Sequence, residues 1–392
     1  MKKRDIDTRV IHGRSLAPPP HGSLSPPLFQ TSTFSFSSAE EGAQRFAGEQ
    51  EGFVYSRLGN PTVQELEEKI ADVENGEAGL ACSSGMAAIS AVLTSTASSG
   101  DHVLVSEGIY GCTYGFFQLM KERYHVDYTL LNMEDEQTIE QEIRPNTKAI
   151  YVETPINPTM KLVDLDMIHR IAKKYNLFYI VDNTFSSPIL QRPLEHGADV
   201  VLHSATKYIG GHGDVIAGLA VGKNDFISHV RKASLKDMGG ILSPFDAWLL
   251  LRGIKTLSLR MQRHTDNAKL LSKKLKDHDK VKKIYYPGDT GFAQHVLAAK
   301  QMDDFGGLIS FELKGGKKAA ASFMNQLKMI KIAVSLGDAE TLIQHPATMT
   351  HAVVPESVRK EMGISDSLLR LSVGLESAKD IWADIEQALT TL

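Results

Sequence analysis

The chain has 392 residues, 42% of them hydrophobic and 23% charged, a balance that fits a globular protein with room for more than one domain. Its 43 Lys and Arg against 47 Asp and Glu leave a net charge of −4, so the basic excess of a dedicated nucleic-acid binder is missing. Two cysteines, Cys82 and Cys112, exclude a disulfide scaffold and lack metal-ligand spacing, so no metal is expected and a reducing cytoplasm is the natural compartment.

The N-terminus, Met-Lys-Lys-Arg-Asp-Ile-Asp, has no apolar core of a secretory signal. No apolar run is long enough to span a membrane. Pro18-Pro19-Pro20 and Ser25-Pro26-Pro27 favour extended backbone and disfavour helix. The aromatic and apolar residues that follow, Leu28-Phe29 and Phe34 to Phe36, point to an arm laid on something rather than a disordered tail.

Regular structure is expected from Thr62, where Thr62-Val63-Gln64-Glu65 reads as a capping box. Leu66, Ile70 and Val73 follow at helical spacing, and Asn75-Gly76 stops the helix. Strands are expected at 78–82, 102–105, 126–131, 148–152, 178–181, 200–203 and 217–221. Helices fall between them, marked by Met86, Ile89 and Leu93 and by Leu165, Ile168 and Ala172. This alternation predicts an α/β protein with a mainly parallel, doubly wound sheet and a ligand beyond the carboxyl ends of its strands. After about Leu257 the chain becomes helix-rich, with short strands at 307–312 and 369–373 and a last helix capped by Ser377. The expected division is an arm at 1–58, a main domain at 59–257 and a smaller α+β domain at 258–392.

Fingerprints for dinucleotides, P-loops, zinc proteases and serine hydrolases are absent. Four features remain, all at strand ends. Ser83-Ser84-Gly85-Met86 opens a helix, where main-chain N–H groups can face an anion; a plain serine cap is the competing reading. Asp182 ends a buried apolar strand, where a carboxylate needs a partner such as a protonated ring nitrogen, or else serves as a cap or salt bridge. Ser204-Ala205-Thr206-Lys207 combines two hydroxyl donors with an amine able to form a Schiff base. Tyr110-Gly111-Cys112-Thr113 offers a ring that could stack or donate a proton, with core packing as the alternative. Phosphate donors, a lysine and an acid for a pyridinium nitrogen are together what pyridoxal phosphate (PLP) needs.

Longer blocks then become specific. They are Tyr55-Ser56-Arg57-Leu58-Gly59-Asn60-Pro61-Thr62, Glu153-Thr154-Pro155-Ile156-Asn157-Pro158, Asp182-Asn183-Thr184-Phe185, His203 to His212, and Arg370 to Glu376. In these the chain resembles the cystathionine-type (Cys/Met metabolism) family of PLP enzymes, from about residue 5 to its end. The resemblance implies the aspartate-aminotransferase-like fold (fold type I). It implies Lys207 as the lysine that links to the cofactor, Asp182 on the pyridine nitrogen, Tyr110 stacked on the ring and Asn157 near the phenolic oxygen. Ser84, Gly85, Met86, Ser204 and Thr206 resemble the phosphate holders. Tyr55 and Arg57 resemble the pair that reaches a neighbouring subunit's phosphate, which implies a homodimeric active site and a dimer of dimers. Ser335 and Arg370 resemble the carboxylate binders of a small amino-acid substrate, with Val334 and Leu336 beside them.

Within that family, Cys112 and Val334 bear on the reaction. Related cystathionine enzymes usually carry Gly where Cys112 stands, and many carry Glu where Val334 stands, which suits cystathionine's distal ammonium. Cys112, Val334 and the run Lys236-Asp237-Met238 resemble the branch that releases methanethiol from methionine. There Cys112 is expected to recognise the sulfur-bearing chain and Tyr110 to protonate the departing sulfur. Cleavage of cystathionine, sulfhydrylation of O-acetylhomoserine and a PLP-binding scaffold without turnover are the competing expectations.

Overall fold

The structure is a computed structural model that describes residues 4–14, 20–352, 354 and 356–392. Its first seven strands are β1 (Ala78–Cys82), β2 (His102–Ser106), β3 (Asp127–Leu131), β4 (Thr147–Glu153), β5 (Phe178–Asp182), β6 (Val200–Ser204) and β7 (Gly218–Gly222). They form one sheet in the order β1-β7-β6-β5-β4-β2-β3. The run from β6 to β3 is parallel, while β7 is antiparallel to both β1 and β6. Apart from the partly buried edge strand β3, these strands are mainly short apolar runs buried on both faces, the pattern of a sheet covered by helices. On one face, Ile89, Val92 and Leu93 of the helix at 85–96 pack with Val103, Val105 and Leu202. On the other, Ile168 and Ile171 pack with Leu104, Ile150 and Val181.

The later strands are β8 (Val281–Tyr285), β9 (Leu308–Leu313), β10 (Lys331–Ile332), β11 (Leu342–Gln344) and β12 (Leu368–Ser372). They form a second sheet in the order β10-β11-β12-β9-β8. Its core holds Phe311, Phe323, Leu371 and Ile385, with Leu271 and Leu275 from the long helix Leu257–Lys276.

Regular structure begins earlier than expected. Helix α1 spans Ile6–His12 and α2 spans Ala39–Ala47. Helix α1 is held by Arg9, which donates to Asp72 at 3.4 Å and to Asn75 at 2.6 Å. The Pro-rich prediction at Pro18 and Pro19 lies outside the described residues, and Pro20–Gly22 makes one 3₁₀ turn. The arm beyond it rests on its own chain, with Trp248 Nε1 donating to the Pro26 carbonyl at 3.1 Å.

Thr62 is not the cap of α3 (Pro61–Val73). Asn60 is, accepting the Thr62 N–H at 2.9 Å, with Pro61 at the first helical position. The Thr62 hydroxyl is taken up by the arm, since it donates to Pro27 O and accepts the Phe29 N–H, both at 2.9 Å. Helix α4 spans Gly85–Thr96 and α5 spans Gly111–Tyr124. Both start at the strand ends that carry the predicted site. Among the described residues, no helix is long and apolar enough to cross a membrane.

Candidate active site

A cavity of about 310 Å³ opens beyond the carboxyl ends of β4, β5 and β6, and residues from both sheets line it. From the strand ends of the first sheet and the loops and helix starts that follow them come Ser84, Gly85, Met86, Tyr110, Asn157, Asp182, Ser204, Thr206 and Lys207. From β12 comes Arg370, and from the segment after β10 come Val334, Ser335 and Leu336. Nearly every site residue expected from the sequence therefore meets in one place.

One end is built for an anion. Ser84 accepts the Ala87 N–H at 3.0 Å, so it does cap α4. Its neighbours Gly85 and Met86 line the cavity at the positive end of a 12-residue helix. A Cβ on Gly85 would lie 2.9 Å from the Ser204 Cβ, so only glycine lets α4 and β6 come this close. The hydroxyls of Ser204 and Thr206 complete this end, and Thr206 Oγ1 accepts the Ala217 N–H at 3.0 Å. A helix start and hydroxyl donors fit the phosphate of PLP.

The middle is built for a ring. Asp182 is buried at the end of β5, where burial raises its pKa. Thr184 opposes that rise with a main-chain N–H at 3.0 Å and a hydroxyl at 2.6 Å, both donated to Oδ1. An anion held in this way suits a protonated pyridine nitrogen. Tyr110 sits at the start of α5, partly exposed, and donates its N–H to Glu153 Oε2 at 2.9 Å. Contact with Cys112, then burial, pushes its phenol up to about 12, so the hydroxyl keeps its proton at neutral pH.

Lys207 follows β6 and donates from Nζ to Ser335 Oγ at 2.7 Å. Burial first, and the nearby Arg370 charge second, lower its pKa from 10.5 to about 8. An amine so depressed is a fair nucleophile and base near neutrality. Ser335 has φ +86°, a left-handed conformation unusual for a residue with a Cβ. Such strain is found where a loop is shaped for a ligand.

Arg370 on β12 is buried, and burial lowers its pKa to about 10. It donates to Asn157 Oδ1 at 3.0 Å and to the Ser335 carbonyl at 2.5 Å. Gln344 stands opposite it in register on β11. With its amide oxygen turned inward, Gln344 lies 3.1 Å from the guanidinium nitrogens. These neutral acceptors fix the fork and leave its charge for a substrate carboxylate.

Three expected residues lie elsewhere. Tyr55 and Arg57 are exposed and outside this cavity. Arg57 packs 5.8 Å from the Tyr55 ring centroid and donates to the Lys236 carbonyl at 2.6 Å. Cys112 is exposed beside Tyr110 and does not line the cavity. Sequence reasoning passed over Glu153, Thr184, Ile216 and Thr350, all of which line it. Glu153 and Thr184 stand inside the quoted blocks, so position in those blocks was the available signal. Ile216 and Thr350 carried none.

A model of the family described as Cys/Met metabolism PLP-dependent enzyme matches residues 7–390. L-methionine gamma-lyase of Fusobacterium nucleatum subsp. nucleatum is 48% identical over 391 residues, covering 99% of each chain. Cystathionine gamma-lyase of Bacillus subtilis (strain 168) is 45% identical over 392 residues, covering 100% of each. The crystal structure of cystathionine gamma-lyase from Lactobacillus plantarum complexed with L-serine is 40% identical, with a TM-score of 0.92 over 99% of both chains.

Proposed function

We propose that this chain, which belongs to the Cys/Met metabolism PLP-dependent enzyme family, cleaves L-methionine by α,γ-elimination and, with one water consumed in hydrolysis, yields methanethiol, 2-oxobutanoate and ammonia. Homocysteine would release hydrogen sulfide by the same route. The observation that carries this reading is the apolar wall beside Ser335. Val334 and Leu336 flank that residue and Ile216 lines the same cavity, so a thioether tail is suited and a second ammonium finds no partner at position 334.

When bound, pyridoxal phosphate supplies the electron sink that makes a Cα proton removable. Arg370 grips the substrate carboxylate and Ser335 lies beside it. Lys207 Nζ, neutral in good part near pH 8, would take the Cα proton, hand it on to the bound cofactor, and, neutral again, take a Cβ proton. Tyr110 gives its hydroxyl proton to the departing sulfur. Asp182 stays ionised against the ring nitrogen. Tyr55 and Arg57 lie outside this chain's own cavity, which supports a second copy lending them to the phosphate in a dimeric working unit; the family resemblance adds the pairing of two such dimers. A free exposed thiol at Cys112 suits a reducing cytoplasm.

Cystathionine is the second candidate substrate, favoured by the 45% identity to the Bacillus enzyme. Purified protein with PLP is assayed on methionine, homocysteine, cystathionine, and O-acetylhomoserine plus sulfide. The expected result is the highest kcat/KM on methionine. A higher value on cystathionine, or on O-acetylhomoserine with sulfide, replaces the reading with that activity. A visible cofactor band without product from any of the four would mark a binding scaffold.

A further inference from the structure

Glu153 is a buried carboxyl that the chemistry above leaves unused. It ends β4 directly opposite Asp182 on β5, in a parallel pair whose register matches Glu153 with Asp182. Side chains opposite each other on neighbouring strands share a face. Both line the cavity, and both are more than nine-tenths buried, at 4% and 7% exposure. Two buried carboxyls paired in register across neighbouring strands disfavour ionising together.

The donors decide which one keeps the charge. Asp182 receives the Thr184 hydroxyl at 2.6 Å, the Thr184 N–H at 3.0 Å and, more weakly, the Tyr151 hydroxyl at 3.4 Å. Glu153 receives main-chain N–H groups alone, from Tyr110 at 2.9 Å and from Asn157. Among the described residues, no cation forms an ion pair with Glu153. Arg370, a charge of helpful sign, gives its hydrogen bonds to Asn157, Ser335 and Gln344 instead. The main-chain N–H groups of Tyr110 and Asn157 and the Arg370 charge favour an ionised Glu153. Burial and Asp182 oppose it, and burial is the largest influence; Tyr151, whose own phenol is held well above its usual range, is neutral here. A pyridinium on Asp182 would fix that carboxylate as the anion of the pair while screening part of its push on Glu153, leaving burial as the main cause that keeps Glu153 neutral.

We infer that Glu153 is a positioning residue that carries a proton at working pH, leaving Asp182 as the single anion for the cofactor ring while its carboxyl holds the Tyr110 main chain in place. The inference rests on the cofactor site proposed above. Burial and Asp182 raise the Glu153 carboxyl to about 8, which places its ionisation inside an accessible range.

The test is infrared difference spectroscopy of the holoenzyme against Glu153→Gln and against Asp182→Asn, from pH 5 to 9. The carbonyl band of a neutral buried carboxyl is expected in the wild type, fading with a midpoint near pH 8, and lost in Glu153→Gln. In Asp182→Asn the band is expected to survive at low pH with its midpoint moved down by at least tenfold in proton concentration. If the band survives in Glu153→Gln, or keeps its wild-type midpoint in Asp182→Asn, the proton belongs elsewhere and the inference is wrong. Should Glu153→Gln not fold, the Asp182→Asn spectrum decides alone. Kinetics separate positioning from bulk structure. Glu153→Gln keeps the shape and the acceptor, so kcat/KM at pH 7 is expected within about threefold of wild type, whereas Glu153→Ala drops at least tenfold with the thermal midpoint matched. Equal loss in both variants overturns the positioning role. The visible band of wild-type protein with PLP, recorded first, reports separately on the cofactor site itself.

Discussion

The depressed basicity of Lys207 has a kinetic consequence. An ordinary lysine at 10.5 is neutral in about one molecule in a thousand at pH 7.5, whereas one at about 8 is neutral in about a quarter, a gain of roughly 200-fold in reactive amine. Burial is the larger cause and the Arg370 charge the smaller. Apoprotein mixed with excess PLP in a stopped-flow instrument should therefore capture the cofactor at a rate that climbs with pH, with its midpoint near 8, and levels off above about 9. Arg370→Gln removes the second cause and should move that midpoint upward. Between about pH 8 and 10.5 the unfolded chain holds a proton that the native site has shed. This residue's contribution to stability therefore rises with pH across that window. A capture rate that keeps rising tenfold per pH unit to pH 10 would refute the reasoning, because it would describe an amine in water.

Arg370→Ala should lower kcat/KM by about 30-fold to several thousandfold, from the roughly 2–5 kcal/mol lost when one partner of a buried charge contact is truncated. The cofactor band should remain, and steady-state kinetics beside an absorbance spectrum check both. Asp182→Asn removes the anion beneath the ring nitrogen and should reduce kcat by about 100-fold or more, measured at saturating substrate and PLP. Arg57→Ala should weaken PLP retention by about 10- to 100-fold, the worth of a charge-assisted hydrogen bond, read as cofactor remaining after dialysis. Asn60→Ala should cost about 1–2 kcal/mol in denaturant unfolding, because Asn60 caps α3 and also donates to Phe29 O and Ser56 Oγ at 2.9 Å each.

The central sheet was legible because its strands are apolar on both faces. Val103-Leu104-Val105 and Val200-Val201-Leu202 are wholly buried and bounded by polar turns. The second sheet was less so. Strand β8 is Val-Lys-Lys-Ile-Tyr at a sheet edge with Lys282 and Lys283 exposed, a pattern that reads as loop. Helix α1 was invisible because its stability comes from Arg9 reaching Asp72 and Asn75, more than sixty residues away. The Thr62 cap failed for the same kind of reason, since the hydroxyl that matched the motif is occupied by the arm at Pro27 and Phe29. In the site, Lys207, Asp182 and Arg370 stood in long blocks and could be read directly. Glu153 stood in one of those blocks too, but its meaning depends on β4–β5 register, which no local motif prints. Gln344 likewise acquires its role only from facing Arg370 across β11 and β12.

Reduction of the PLP-loaded protein with borohydride, followed by mass mapping of its peptides, tests the account at its root. The cofactor should be fixed on the peptide carrying Lys207, and methionine added beforehand should diminish that label. A label on another lysine, or none at all in protein that folds and takes up PLP, would contradict it.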